Sequence, residues 1–210
     1  MSASGVPTAP LVDRGDMSAG ALTNYDINRV ISKWMRDDHT QKLLRNVCSS
    51  HAEWEEWAEL ELECEFRDAF GLPDSIRGVD DAYKSNKLPT LVLPKTAEQK
   101  GMVIELKCEN ALGGMGAKLG DLESSSVYTK SNISDKYSDY VFVVLAMAFT
   151  DEADEFLRGV GMKPIPGAEA PVATLKTVKM YREDFKVGSC GFNFVIADFV
   201  SATWTGSESR

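Results

Sequence analysis

At 210 residues, with 43% hydrophobic and 26% charged residues, the chain is long enough to bury one sizeable core and ordinary in composition for a soluble globular protein. Its net charge of −9 and pI near 4.8 argue against polyanion binding by the whole surface, because such binding depends on neutralising phosphates with Lys and Arg. A locally basic cleft stays open as a reading.

The cysteines at 48, 64, 108 and 190 have no paired spacing, and two of them fall in apolar periodic runs. They read as buried free thiols in a reducing compartment. Cys48-x-x-His51 has metal-ligand spacing, but no second C-x-x-C or H-x-x-x-H completes a zinc site. The first 23 residues lack a basic start and an apolar core, so no signal peptide is expected. The longest apolar run, Tyr140 to Phe149, is about half the ~20 residues a membrane helix needs. These features predict a soluble intracellular protein, in cytoplasm or nucleus, without a membrane partner.

In chain order, residues 1–23 are rich in Ser, Gly, Ala and Pro and read as a flexible tail. Thr23, with Asp26 three residues on, is a candidate N-cap. Ile27, Val30, Ile31, Trp34 and Met35 then repeat at helical spacing. A short helix after Asp38 would bury Leu43, Leu44 and Val47. Ser50-His51-Ala52-Glu53 has a capping-box pattern and opens an acidic segment, Glu53 to Phe70. Leu60, Leu62, Cys64 and Phe66 alternate there with Glu as a strand would. The cap, the helix propensity of Glu, Leu and Ala, and the Gly71-Leu72-Pro73 stop favour a helix. Its apolar residues fall on more than one side, so one or two of its glutamates are expected to point inward.

Strand patterns follow: a weak one at Val79 to Tyr83, a better one at Leu88 to Leu93, and the clearest at Met102 to Cys108. In the last, Ile104, Leu106 and Cys108 face one way and Val103, Glu105, Lys107 and Glu109 the other. Residues 110–137, with Gly113-Gly114, read as a loop or short helix. Tyr140 to Phe149 suits a central strand buried on both faces. Thr150 caps a helix through Phe156 and Leu157 that ends at Gly159. Residues 161–172 read as a Pro/Gly connector. Ala173 to Tyr181 and Phe192 to Val200 read as a closing antiparallel pair, and 205–210 as a frayed end. The whole predicts one domain over 24–204, an α/β layout with a mixed sheet flanked by helices.

A strand carrying Glu105-x-Lys107, a preceding strand that begins at Pro89-Thr90, and a Glu-rich helix before both resemble the PD-(D/E)XK, or restriction-endonuclease-like, nuclease superfamily. Fourteen residues separate Thr90 from Glu105, and Leu91-Val92-Leu93 follows the Pro89-Thr90 pair. The segment Trp57-Ala58-Glu59-Leu60-Glu61-Leu62 resembles the helix that carries a further acid. The likeness covers about residues 53–158.

That resemblance implies an α-β-β-β-α-β core behind N-terminal helices and a metal-dependent nuclease acting on DNA or RNA. Glu105, Lys107 and Glu61 would be catalytic, with Glu65 one turn beyond Glu61. Glu105, Glu61 and the Thr90 position would hold Mg2+ or Mn2+, hard ions that take carboxylates and substrate phosphate. The metal would lower the pKa of a bound water and clamp the phosphoryl oxygens, with Lys107 at that water or at a phosphate oxygen. Thr90 stands where the family has an aspartate, so a neutral hydroxyl replaces a full charge. Asp80, Asp81 and Glu109 are the candidate substitutes.

Between residues 76 and 107 six basic residues face four acids, which fits a phosphate-facing surface with Lys84 and Lys87 as candidate contacts. A solvated strand face for Glu105 and Lys107, and a solvated helix face for the acids of 53–68, are the plainer readings. No P-loop, Gly-x-Ser-x-Gly or dinucleotide fingerprint is present. The alternatives to hydrolysis are an inactive nuclease-like module that binds nucleic acid or a protein partner, and an interaction module built on the acidic helix. A homodimer is compatible with all of these.

Overall fold

A computed structural model describes residues 25–50, 54–78, 82–85, 88–109, 114–115, 132–173 and 176–185. Three helices come first: α1 (Ile27–Arg36), α2 (Asp38–Ser50) and α3 (Glu55–Phe70). Strands β1 (Leu91–Leu93), β2 (Met102–Cys108) and β3 (Val141–Ala148) follow, then α4 (Asp151–Gly159), β4 (Lys163–Ala173) and β5 (Lys176–Phe185). The sheet order is β1-β2-β3-β5-β4. Strands β2 and β3 run parallel, and every other neighbouring pair is antiparallel. This is a mixed α/β sheet flanked by helices, as the sequence pattern predicts.

Alternation along the strands divides the interior in two. Ile104, Leu106 and Cys108, with Val143, Leu145 and Met147, face a core built with α1 and α3. Val103, Phe142, Val144 and Ala146 face a second core that takes in Ala153 and Leu157 of α4 and Tyr83, Ile133 and Tyr137. Strand β3 lies at the centre and is buried along almost its whole length, which explains its unbroken apolar run.

The helix ends follow local chemistry. Asp26 caps α1 by accepting from the Arg29 amide, so the cap falls on Asp26 and the Thr23 expectation lies outside the described residues. Asp37 accepts the amides of His39 and Thr40 and so opens α2. Helix α2 runs on to Ser50, and α3 starts only at Glu55, behind Trp54. The expected Ser50–Glu53 box therefore does not open α3. Gly71, at φ 64°, ends α3 in the left-handed conformation that glycine adopts without strain. Thr150 caps α4 through the Ala153 amide.

The segment expected as a connector, 161–172, is largely strand β4. Pro164, Pro166 and Pro171 are tolerated because β4 lies at the margin of the sheet among the described residues, where missing amide donors break no ladder. The register slips between Pro164 and Glu169, where Gly167 takes φ 70°. The partner of β4 is β5, and the expected strand at 192–200 lies outside the described residues. So do the two terminal segments and residues 79–81, 86–87 and most of 110–131. The described residue Tyr83 makes an isolated bridge to Ile133. Among the described residues no helix is long and apolar enough to cross a membrane.

Candidate functional site

Strand β1 is three residues long, and its pairing with β2 stops at Leu91 opposite Ile104. Beyond that point the amides of Leu106 and Cys108 face a margin with no strand beside it among the described residues. A buried amide without an acceptor costs about 1–3 kcal/mol, so such groups find partners. Here side chains supply them. The Leu106 amide donates to Thr90 Oγ1 at 3.1 Å, and the Cys108 amide donates to Glu55 Oε2 at 2.9 Å.

The other oxygen of Glu55 takes the Lys107 ammonium at 2.8 Å. Glu55 is the first residue of α3, where a carboxylate also favours the helix dipole. Both partners are largely buried, with side chains 19% and 20% exposed. Burial alone pulls the lysine pKa down, but the Glu55 hydrogen bond and the charges of Glu55, Glu105 and Glu59 outweigh it. Lys107 is thereby held above the usual lysine value and fully charged at neutral pH.

Glu105 points into the second core, is 2% exposed, and accepts a hydrogen bond from the Tyr83 hydroxyl at 2.7 Å. It is close enough to Lys107 to favour the ammonium. Thr90, Glu105, Lys107 and a helix glutamate do therefore gather around one stretch of β2. The helix glutamate is Glu55.

Glu55, Glu59 and Glu63 recur at i, i+4 and i+8 and form one row along α3. Glu63 is buried and accepts from Ser75 Oγ at 2.5 Å and from the Ile76 amide at 3.1 Å, with Arg77 Nε 3.5 Å from its second oxygen. Glu59 stands between the Lys107 and Arg77 charges. Burial, and then the Glu55 charge, lift its pKa above the ordinary glutamate value, while Lys107 and Arg77 pull it back in part. Glu61, the sequence candidate, comes two residues after Glu59 and so sits about 200° round the helix, on the opposite flank. Glu65 lines a cleft against α1. The spacing 55, 59, 63 is present in the sequence, beside the apolar row Ala58, Leu62 and Phe66. The strand-like alternation of 60–66 obscures it.

The other candidates lie elsewhere. The Glu109 carboxylate accepts the amides of Phe149 at 2.7 Å and Thr150 at 3.0 Å, together with the Thr150 hydroxyl. Its carbonyl takes Trp54 Nε1 at 2.6 Å. It ties β2 to the start of α4 and is spent on that task. Lys84 is exposed and stands 3.4 Å from Asp135. Asp80, Asp81 and Lys87 lie outside the described residues, as do the side chain of Cys48 and His51. Neither Cys108, which is buried, nor Cys64, which is exposed on the outer side of α3, is in a disulfide.

A Mg2+ or Mn2+ ion needs several oxygen donors converging on one point. Among the described residues no three His, Cys, Asp or Glu side chains gather in that way. Thr90 Oγ1 already serves a backbone amide and Glu55 a lysine, so the described donor set does not fit a metal. No protein-family model, no curated protein and no solved structure matches the chain. What fold and site define is a mixed α/β sheet with a charged, side-chain-closed margin on its second strand.

Proposed function

We propose that the chain is a nuclease-like domain of the PD-(D/E)XK type that binds nucleic acid without hydrolysing it. The observation that carries this reading is the Thr90–Leu106 hydrogen bond: where a metal-binding aspartate is expected, a hydroxyl serves the backbone. The connectivity supports the likeness to that fold. Strand β1 hairpins into β2, and a crossover leads to the parallel β3. Arg77 bridges Leu91 as a rudimentary first strand would. The Glu105-x-Lys107 row beside an acid of the preceding helix, Glu55, supports the likeness, with the Lys107 charge paired to Glu55 and Glu105 bonded to Tyr83.

The test is a cleavage assay on DNA and RNA with Mg2+ and Mn2+, beside calorimetric titration of the metal. The expected result is no cleavage and no metal binding by the native chain, with metal binding gained by Thr90→Asp. Metal-dependent cleavage that Glu105→Ala and Lys107→Ala abolish would overturn it.

That outcome would establish the second reading, a metal-dependent phosphodiesterase. The convergence of Glu55, Glu105 and Lys107 on one strand favours it. It would require Asp80 or Asp81 to supply the carboxylate that Thr90 lacks.

A further inference from the structure

The outward face of α1 carries Arg29, Lys33 and Arg36, at i, i+4 and i+7, hence on one side of the helix over about 10 Å. All three are exposed. Among the described residues the side chains of Arg29 and Lys33 make no hydrogen bond or ion pair. Two carboxylates share the cleft of about 510 Å³ that these residues line, Asp37 and Glu65. Asp37 also accepts the His39 and Thr40 amides that open α2. The three cations thus outnumber these two carboxylates by one, in a chain whose net charge is −9.

Arg36 is held in place. Its Nε donates to the Gly167 carbonyl at 3.1 Å, and Ser32 Oγ donates to the adjoining Pro166 carbonyl at 2.7 Å. A β-carbon on Gly167 would lie 2.0 Å from Arg36 Nη2, so the β4 bulge is shaped around the guanidinium. A guanidinium fixed against Gly167, in one row with two exposed cations that make no described hydrogen bond or ion pair, suits oxygen acceptors that carry full charge.

We infer that this face of α1 is where the domain grips nucleic acid, with Arg29, Lys33 and Arg36 on successive backbone phosphates. The inference rests on the proposed nucleic-acid-binding reading and gives it a surface away from the closed β2 margin. Neighbouring cations of the row stand about 6 Å and about 4.5 Å apart along the helix axis, so the row can follow a short run of backbone phosphates. Contacts of this kind carry affinity and salt dependence rather than sequence preference.

The experiment is fluorescence anisotropy of a labelled oligodeoxythymidine strand across a salt series, with the full chain. The native protein is expected to bind at low salt and to weaken as salt rises. Arg29→Gln with Lys33→Gln should lose at least tenfold in affinity and flatten the log–log salt slope by about 0.7 per lost phosphate contact. Lys176→Gln, in a different surface cleft, should change neither. Arg36→Lys keeps the charge, and circular dichroism of each variant checks folding.

Failure of the native chain to bind the strand, or an unchanged slope in the double variant, would overturn the inference. Equal competition by polyglutamate would also overturn it and reassign the face to an acidic protein. An unchanged double variant beside a native chain that binds overturns this surface alone, whereas a native chain that does not bind overturns the nucleic-acid-binding reading with it.

Discussion

Thr90 Oγ1 accepts the amide hydrogen of Leu106 at 3.1 Å, across the point where β1 ceases to pair with β2. Thr90 is 8% exposed, so water is a poor substitute for that acceptor. Thr90→Val keeps the shape and removes the oxygen. It should cost about 1–3 kcal/mol, the penalty of a buried unsatisfied amide, whereas Thr90→Ser should cost less than half as much. Urea unfolding of both variants is the measurement. Equal stability of the native chain and the Thr90→Val variant would show that the bond has no structural weight.

The Glu55–Lys107 pair should behave as a unit. Removing one partner leaves the other charge largely buried, so Glu55→Ala and Lys107→Ala are each expected to cost about 2–4 kcal/mol. The double variant should cost less than their sum. Because the folded pKa of Lys107 lies above its unfolded value, its contribution is fully present below the unfolded pKa. It is lost as pH rises through the folded one. Alkaline titration of stability should therefore show a falling limb above the ordinary lysine range, and Lys107→Met should remove it.

Glu59 has the opposite sign. Its raised pKa means that its charged form is disfavoured in the folded state, so ionised Glu59 costs stability at neutral pH. Glu59→Gln should stabilise the chain at pH 7 by roughly 0.5 kcal/mol or less, because the group is partly solvated. The gain should vanish as the pH falls through the raised Glu59 pKa and the native residue takes up its proton. Thermal melts of the two proteins across that range would read it directly. A gain that persists at low pH would point to packing instead.

Glu109 joins three elements: Trp54 before α3, the end of β2, and the turn into α4. Glu109→Ala strands two backbone amides and the Thr150 hydroxyl, so a loss of about 2–4 kcal/mol is expected. Glu109→Gln keeps an acceptor and should recover part of it. Neither variant should alter metal or nucleic-acid binding. A change in metal affinity would return Glu109 to the set of ligands.

Local signals are strong enough to place α1, β2, β3 and the Thr150-capped helix from the sequence, because each has a clean period or a clean cap. Strand β4 is hidden by its prolines. The physics that makes proline a breaker is the loss of a ladder donor, and at a sheet margin that loss is harmless. The site is half legible. Glu105 and Lys107 follow from period-two alternation, and Thr90 from its distance before them. The sequence points to Glu61 as the helix acid, because a segment with glutamates on several sides does not announce which side meets the sheet. That depends on where the Ala58, Leu62 and Phe66 row packs, a tertiary fact that brings Glu55, Glu59 and Glu63 to the margin. The role of Thr90 as an acceptor for Leu106 is beyond the reach of local pattern, since nothing local tells that β1 is only three residues long.

The closed margin of β2 has a consequence for assembly. A sheet whose outermost partner stops early usually offers a berth to a foreign segment, through strand exchange with a second molecule or capture of an extended peptide. Here an incoming strand would have to evict Thr90 from Leu106 and Glu55 from Cys108, and unseat the Lys107 ion pair in the same movement. At the far side of the sheet, the prolines of β4 withhold the donors that such a strand would need. Among the described residues the two ends of the sheet are thus blunted against an added strand, by borrowed side chains on one and by absent amides on the other.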